Sequence, residues 1–114
     1  MRVISQDGTL DMPYEEVIIQ RFRSRIYFLN KNLTGVESLS DDMQIAEYST
    51  KAKAIKVMEM LRGQYKGLEV FKVLASGTAE HMEKPFNFDE LKEYIRAYHD
   101  INVFQFPQDD EIEV

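Results

Sequence analysis

One stripe of apolar side chains at helical spacing constrains this chain most. Its members recur at steps of three and four residues: Ile55, Met58, Leu61 and Tyr65, with Ala54 and Val57 beside them. This spacing places them on one face of a helix over residues 50–65, which Ser49 or Thr50 can cap. Such a face is stable only when another element covers it. Any fold of this chain must therefore supply an apolar surface for this helix.

The first residues are typical of a β-hairpin. Residues 1–5 and 9–12 are strand-like and flank Asp7-Gly8, a dipeptide that favours a two-residue turn between antiparallel strands. Pro13 has no amide proton to donate to a ladder, so it should end the second strand or lie on a sheet edge.

A longer β segment follows over residues 17–29. Apolar side chains fall on even positions and arginines on odd ones, which is the period of a half-buried strand. The segment is long for one strand, so a turn or bulge is expected near Arg23-Ser24. A turn there changes which positions face the core.

The segment after the first helix is ambiguous. Leu68, Val70, Phe71, Val73 and Leu74 fit a buried strand or a short helix, because periodicity cannot decide over so short a run. We favour a helix over 68–75, since Gly77 then falls where a C-terminal cap belongs. The first helix would end near Gly63 or Gly67.

The remaining signals complete an α+β fold. A capping box of Asn87 and Glu90 predicts a helix over 88–99, and residues 44–48 and 103–106 are typical of short strands. The predicted architecture is a small antiparallel β-sheet packed against one long helix. The N-terminal hairpin, the strands that follow it and the C-terminal strand form that sheet, and a second helical segment precedes the last strand. The length of 114 residues fits one domain over 1–114, with an acidic tail at 108–114.

Composition excludes several kinds of function. The chain has no cysteine, which rules out disulfides, thiolate nucleophiles and cysteine-ligated zinc. His81 and His99 lack the spacing of a zinc motif, and no glycine-rich phosphate loop or nucleophilic serine motif occurs. We therefore expect no enzyme, no cofactor and no metal site. Because neither a signal peptide nor an apolar run of about 20 residues is present, we expect a cytoplasmic protein without membrane contact.

Three arginines are the candidate contact with nucleic acid. If the strand is unbroken, Arg21, Arg23 and Arg25 project from one face roughly 6.5–7 Å apart. Tyr27 would extend that face and stack on a base. The alternative is a solvent face whose cations pair with acids on neighbouring strands. The formal net charge of −6 favours this alternative, because nucleic-acid binders usually present a basic surface.

The acidic C-terminus is the candidate contact with a protein. It carries four acids and no base: Asp109, Asp110, Glu111 and Glu113. Either it is a solubilising end that frays, or it makes an electrostatic contact with a basic surface of a partner.

Three stretches of the chain form a recognisable pattern. They are MRVISQDGT at residues 1–9, AEYST at 46–50 and FQFP at 104–107. They resemble a family of small uncharacterised proteins of Gram-positive bacteria and their phages and prophages. The resemblance implies a phage-associated or prophage-associated cytoplasmic protein. It implies no reaction, cofactor or functional residue, and it does not extend over residues 68–102.

The sequence thus favours a non-enzymatic domain that binds another protein, with self-association as one form of that binding. One alternative is a nucleic-acid-binding accessory protein that uses the arginine-bearing strand. A second alternative is a small enzyme of unknown type.

Overall fold

The computed structural model of this chain describes residues 1–30, 41–81 and 88–114, with side chains for all of these except 30, 41, 74–81 and 88–91. The described elements, in chain order, are β1 (Arg2–Ile4), β2 (Asp11–Pro13), β3 (Val17–Phe22), β4 (Arg25–Asn30), β5 (Gln44–Glu47), α1 (Lys51–His81), α2 (Phe88–Ile101) and β6 (Val103–Gln105). Short 3₁₀ turns lie at Tyr14–Glu16, Asp41–Met43 and Asp109–Glu111. The α+β class is confirmed, with one long helix packed on β-structure.

The strands form two small sheets rather than one. Their orders are β2-β1-β6 and β3-β4-β5. The 3₁₀ turn at Tyr14–Glu16 redirects the chain between β2 and β3, so the N-terminal hairpin and the next hairpin do not pair with each other. The last strand joins the first sheet as expected, but it runs parallel to β1, with Val3 opposite Phe104. Parallel pairing is possible here because the connection between the two strands is long and contains both helices as well as β2 to β5.

The first hairpin has a wider loop than the Asp7-Gly8 pattern predicts. Ile4 lies opposite Asp11, so residues 5–10 all belong to the loop. The carboxylate of Asp7 accepts hydrogen bonds from the Ser5 hydroxyl (2.6 Å) and from the amide and hydroxyl of Thr9 (3.0 and 2.7 Å). These local bonds compete with the strand ladder and hold the wider loop. Gly8 supplies the positive φ of 78° that the turn requires.

Helix α1 is one continuous element of 31 residues. It begins as predicted, since the Thr50 hydroxyl accepts the Lys53 amide at 3.2 Å. The predicted ends at Gly63, Gly67 or Gly77 are wrong, because the helix passes through all three. A glycine costs a helix roughly 1 kcal/mol, and at Gly63 and Gly67 the burial of Leu61 and Leu68 outweighs that cost. The expected helix over 68–75 is confirmed as part of α1.

Helix α2 and strand β6 follow the predicted bounds closely. The helix covers Phe88–Ile101 and the strand Val103–Gln105. Asn87, the predicted cap, lies outside the described residues. The side-chain amide of Gln64 in α1 donates to the backbone carbonyls of Ile101 and Val103 (3.1 and 2.6 Å), which ties the junction of α2 and β6 to α1.

One core joins both sheets to α1. Val3 of the first sheet, Ile26 of the second and Leu61 of α1 are all almost fully buried in it, as are Phe106 and Leu68. Ala54 and Val57, rather than Ile55, form the deepest part of the helix face, and Ile55 remains 37% exposed. The buried stripe is therefore rotated slightly from the predicted one.

Candidate interaction surface

The hairpin of β3 and β4 turns at Arg23-Ser24, as the sequence predicts. Phe22 and Arg25 pair across a two-residue turn. Arg23 has a φ of 56°, a left-handed conformation that an arginine adopts only at some energetic cost. Its guanidinium lies 5.4 Å from the centre of the Phe22 ring, within the range of a cation–π contact.

The turn separates the three arginines. Arg21 lies opposite Ile26, which is fully buried, so Arg21 is on the face toward the core. Arg25 lies on the other face and its guanidinium is 3.5 Å from the carboxylate of Glu47. Arg23 is in the turn itself, and its carbonyl accepts a hydrogen bond from Arg21 at 2.9 Å. The single arginine face on which the nucleic-acid hypothesis depends is therefore not formed.

Tyr27 does not serve as a base-stacking platform in this structure. It lies opposite Gln20, on the outward face of the hairpin, but only 5% of its surface is exposed. A buried ring offers no free surface on which a base can stack.

The outward face of β3 carries exposed apolar side chains instead. Ile18 and Phe22 are 48% and 52% exposed, and the exposed Gln20 lies between them. The alternation in the sequence places apolar side chains on even positions, but the expected turn leaves open which positions face the core in each strand. In β3 the even positions face outward. Val17, Ile19 and Arg21 face inward, because the turn reverses the parity between the two strands. Only the strand register reveals this surface.

The edge of β3 is open within the described part of the chain, where β4 is its only strand partner. A two-residue turn is closed by a hydrogen-bonded pair, here Phe22 and Arg25, and such pairs alternate along the ladder. Along β4, alternate residues direct their backbone groups toward β3 and toward β5. The Ser24 carbonyl follows this alternation, because it points away from β3 and accepts the Tyr48 amide at 2.9 Å. The backbone N–H and C=O groups that point to the open edge therefore belong to Val17, Ile19 and Arg21.

A cleft of about 400 Å³ lies on the inward side of β3, between the strand and α1. Its lining residues are Tyr14, Glu15, Val17, Ile19, Met58, Leu61, Arg62 and Tyr65. The rings of Tyr14 and Tyr65 are 4.6 Å apart at one side. A strand added to the open edge would extend the sheet over this cleft.

Glu15 is held at the rim of this cleft by the terminal amine of Met1. The two groups are 2.8 Å apart. Partial burial acts to raise the pKa of Glu15, but the hydrogen bond and the charge of the amine lower it overall. Glu15 is therefore an ionised structural partner of the first strand rather than a candidate acid.

The acidic C-terminal segment is folded onto the body of the domain. The carboxylate of Asp109 accepts the Ser49 amide at 2.7 Å and lies 3.3 Å from the ammonium of Lys53. The bond from the Ser49 amide is the first cause of the lowered pKa of Asp109, and Lys53 adds to it. Glu111 accepts the amide of Gln108 at 3.0 Å. Of the four predicted contact residues, these two serve internal contacts, and Asp110 and Glu113 are exposed.

The C-terminal segment also accepts a hydrogen bond from a buried side chain. The buried hydroxyl of Tyr48 donates to the Pro107 carbonyl at 2.8 Å, and the side chain of Gln6 donates to the same oxygen at 3.1 Å. Burial, and then the negative charges of Asp109 and Glu111, raise the pKa of Tyr48 above its usual range. This hydroxyl therefore stays protonated as a structural donor.

Neither a cluster of metal-ligand side chains nor a membrane-spanning helix is found within the residues that the structure describes. No group of three or more potential ligand side chains is found there. The imidazole of His99 is exposed and lies 3.8 Å from Asp100, while the side chain of His81 lies outside the described set. No described helix is both long enough and apolar enough to cross a bilayer.

The fold and this surface define a class: an α+β domain with an open edge strand that carries exposed apolar side chains. Comparisons of the chain with protein-family models, with curated proteins and with solved structures give no match. The resemblance to phage and prophage proteins therefore stays a prediction, and the function has to be argued from the surface itself.

Proposed function

We propose that this chain is a non-enzymatic protein-interaction domain that binds an extended segment of a partner along the open edge of β3. The observation that carries the proposal is the combination of backbone groups at that edge, which pair with no other described strand, with the exposed side chains of Ile18 and Phe22. Strand addition uses both features. The backbone bonds provide affinity, and the alternating side chains provide specificity.

The geometry of β3 suits an added strand. Val17, Ile19 and Arg21 each direct an N–H and a C=O toward the open edge, which offers a partner up to six backbone hydrogen bonds. Ile18 and Phe22 lie on the same face, four positions apart, and each has about half of its surface available for burial. The inward residues of the partner strand would lie over the cleft beside Ile19.

A protein suits this surface better than a nucleic acid. The arginines lie on different faces, and two of them have partners in the domain: Arg21 bonds a backbone carbonyl and Arg25 pairs with Glu47. The net charge of −6 also opposes a polyanion. The proposed function is binding without catalysis, because the side chains on the outward face of β3 are Ile18, Gln20 and Phe22, none of which is a nucleophile or a base.

We place this interaction, as part of the proposal, in the bacterial cytoplasm and in the biology of a phage or prophage. The support is the resemblance at residues 1–9, 46–50 and 104–107 together with the lack of cysteine, which suits a reducing compartment.

A peptide selection tests the proposal. A displayed library of random peptides is selected against the purified chain, and binders are compared on two variants at Ile19. Ile19→Pro removes an amide proton that points to the open edge while leaving the β4 ladder intact, so we expect it to abolish binding. Ile19→Val is the matched control and should bind like the wild type.

A second variant separates loss of binding from loss of folding. Phe22→Thr alters an exposed side chain and retains β propensity, so the domain should stay folded by circular dichroism while binding weakens. Peptides that bind Ile19→Pro and Phe22→Thr as well as the wild type would show that the site lies elsewhere and would refute the proposal.

A further inference from the structure

The exposed side chains of β3 form a self-complementary pattern. Along the outward face the order is Ile18, Gln20, Phe22, with an apolar side chain on each side of a central amide. We propose that the partner strand is β3 of a second copy of this chain, paired antiparallel about a two-fold axis at Gln20. The inference rests on the proposed function and names its partner. The result is a homodimer with one continuous six-stranded sheet, ordered β5-β4-β3-β3-β4-β5.

The side chains match in this register. A two-fold axis at Gln20 places Ile18 opposite the partner's Phe22, and Phe22 opposite the partner's Ile18, so each half-exposed apolar side chain covers another. The two Gln20 amides meet at the axis, where each can donate to and accept from the other. On the inward face Ile19 lies opposite the partner's Arg21, so no like charges face each other.

The backbone also matches. The residues whose N–H and C=O groups point to the open edge include Ile19 and Arg21, and in this register each is opposite the other in the second copy. Two hydrogen-bonded pairs with two bonds each therefore form across the axis. Gln20 forms the non-hydrogen-bonded pair, in which side chains approach most closely.

A neighbouring register, centred on Ile19, is less complementary. It forms three hydrogen-bonded backbone pairs across the axis instead of two, but it places Ile18 opposite the partner's Gln20. Phe22 would then lie beyond the end of the opposing strand, beside the charged Glu16. The register at Gln20 is the one that buries both apolar side chains, and apolar burial is the main drive to association.

Two of the other described sheet edges, those of β5 and β2, carry protection that β3 lacks. The outer edge of β5 is occupied by Gln6, whose amide donates to the Ile45 carbonyl (2.8 Å) and whose side chain accepts the Glu47 amide (2.9 Å). The edge strand β2 is three residues long and ends in Pro13. Proteins normally guard an edge with proline, charged side chains, a bulge or a covering segment. β3 contains no proline or bulge, and its one charged side chain, Arg21, donates to the Arg23 carbonyl within the same hairpin. Its six residues pair regularly with β4, which is what a strand that pairs with another copy requires.

Charge substitution at the axis tests the register. Gln20→Lys and Gln20→Glu each place two like charges opposite each other in the dimer, on an exposed side chain that the monomer does not need. In sedimentation velocity runs at low salt we expect a concentration-dependent wild-type dimer and a dissociation constant raised roughly tenfold or more by either variant. An equimolar mixture of the two variants should dimerise again, because lysine then faces glutamate. Gln20→Thr is the neutral control and should dimerise like the wild type.

Cysteine cross-linking gives an independent readout, since the chain has no cysteine of its own. Gln20→Cys should form a disulfide-linked dimer under mild oxidation, because residues facing each other in a non-hydrogen-bonded pair are close enough for a disulfide. Ile18→Cys lies on the same face but roughly 13 Å from its own copy, and it should remain monomeric at the same protein concentration.

The outcomes separate the two proposals. A wild-type chain that sediments as a monomer at millimolar concentration, or a dimer that is insensitive to both charges and cross-links equally through either cysteine, overturns self-pairing. The peptide selection then still decides whether the edge binds a different protein. A dimer that is lost on Gln20→Lys and restored by mixing with Gln20→Glu supports self-pairing through this register.

Discussion

Ile112 provides a direct test of whether the acidic C-terminus is part of the folded domain. It lies between exposed acids, yet only 5% of its own surface is exposed, and it belongs to the main core. The short 3₁₀ turn Asp109–Glu111 and the contacts of Asp109 with Ser49 and Lys53 hold the segment in this position. A frayed tail would leave this isoleucine in water in both the folded and the unfolded chain.

The expected cost of Ile112→Ala follows from this burial. The substitution removes three carbons from a nearly fully buried site, worth about 0.8 kcal/mol each, or about 2.4 kcal/mol in transfer free energy. The cavity left behind adds to this, and large-to-alanine changes in cores cost about 2–5 kcal/mol. Because the site lies in a short terminal segment that can relax, we expect a loss of about 2–3 kcal/mol in the free energy of unfolding.

Urea unfolding followed by circular dichroism measures this loss, and thermal unfolding should show a melting temperature lower by roughly 10 °C. Val114→Ala is the matched control, since Val114 is 73% exposed and should change the free energy of unfolding by less than about 0.5 kcal/mol. Equal, small effects of both substitutions would show that the segment is not packed in solution and would refute the reasoning.

Two further predictions concern a glycine and a carboxylate. Gly63→Ala should stabilise the domain by about 1 kcal/mol, because Gly63 is inside α1 and an added Cβ meets no atom within 4 Å; Gly8→Ala, at a φ of +78°, should destabilise it instead. Urea unfolding of both variants checks this, and a destabilising Gly63→Ala would contradict it. The Ser5 hydroxyl and then the Thr9 amide and hydroxyl lower the pKa of Asp7 to about 2, from an ordinary value of 3.8. The stability contributed by ionised Asp7 is therefore present above about pH 4 and lost as the pH falls towards 2. The wild type should exceed Asp7→Asn in stability at pH 6, and this difference should shrink in acid; a difference independent of pH would count against the assignment.

Much of the local structure was predictable because its determinants are close together in the sequence. The start of α1 depends on Thr50 and the residues that follow it, and the second hairpin turn depends on the length of the segment around Arg23. The end of α1 was not predictable from its glycines, because the burial of Leu68 beyond Gly67 decides that the helix continues.

The candidate surface was the part that sequence reasoning missed. The alternation of residues 17–29 correctly predicts β-structure, but two-residue periodicity does not say which parity faces the core once a turn intervenes. The pairing of Arg21 with Ile26 sets that parity, and it exposes Ile18 and Phe22 instead of aligning the arginines.

By itself, the amino-acid sequence determined the class of this protein: β-rich segments before an amphipathic helix must pack against it, since neither can bury its apolar side chains alone. Tertiary structure alone decided that the described strands divide into two sheets with β3 at an open edge, and that Ile112 joins the core. The physical reason is the distance along the chain over which each interaction acts. Helix and turn preferences act over a few neighbouring residues, whereas strand register and burial depend on residues far apart in the chain, such as Val3 and Phe104.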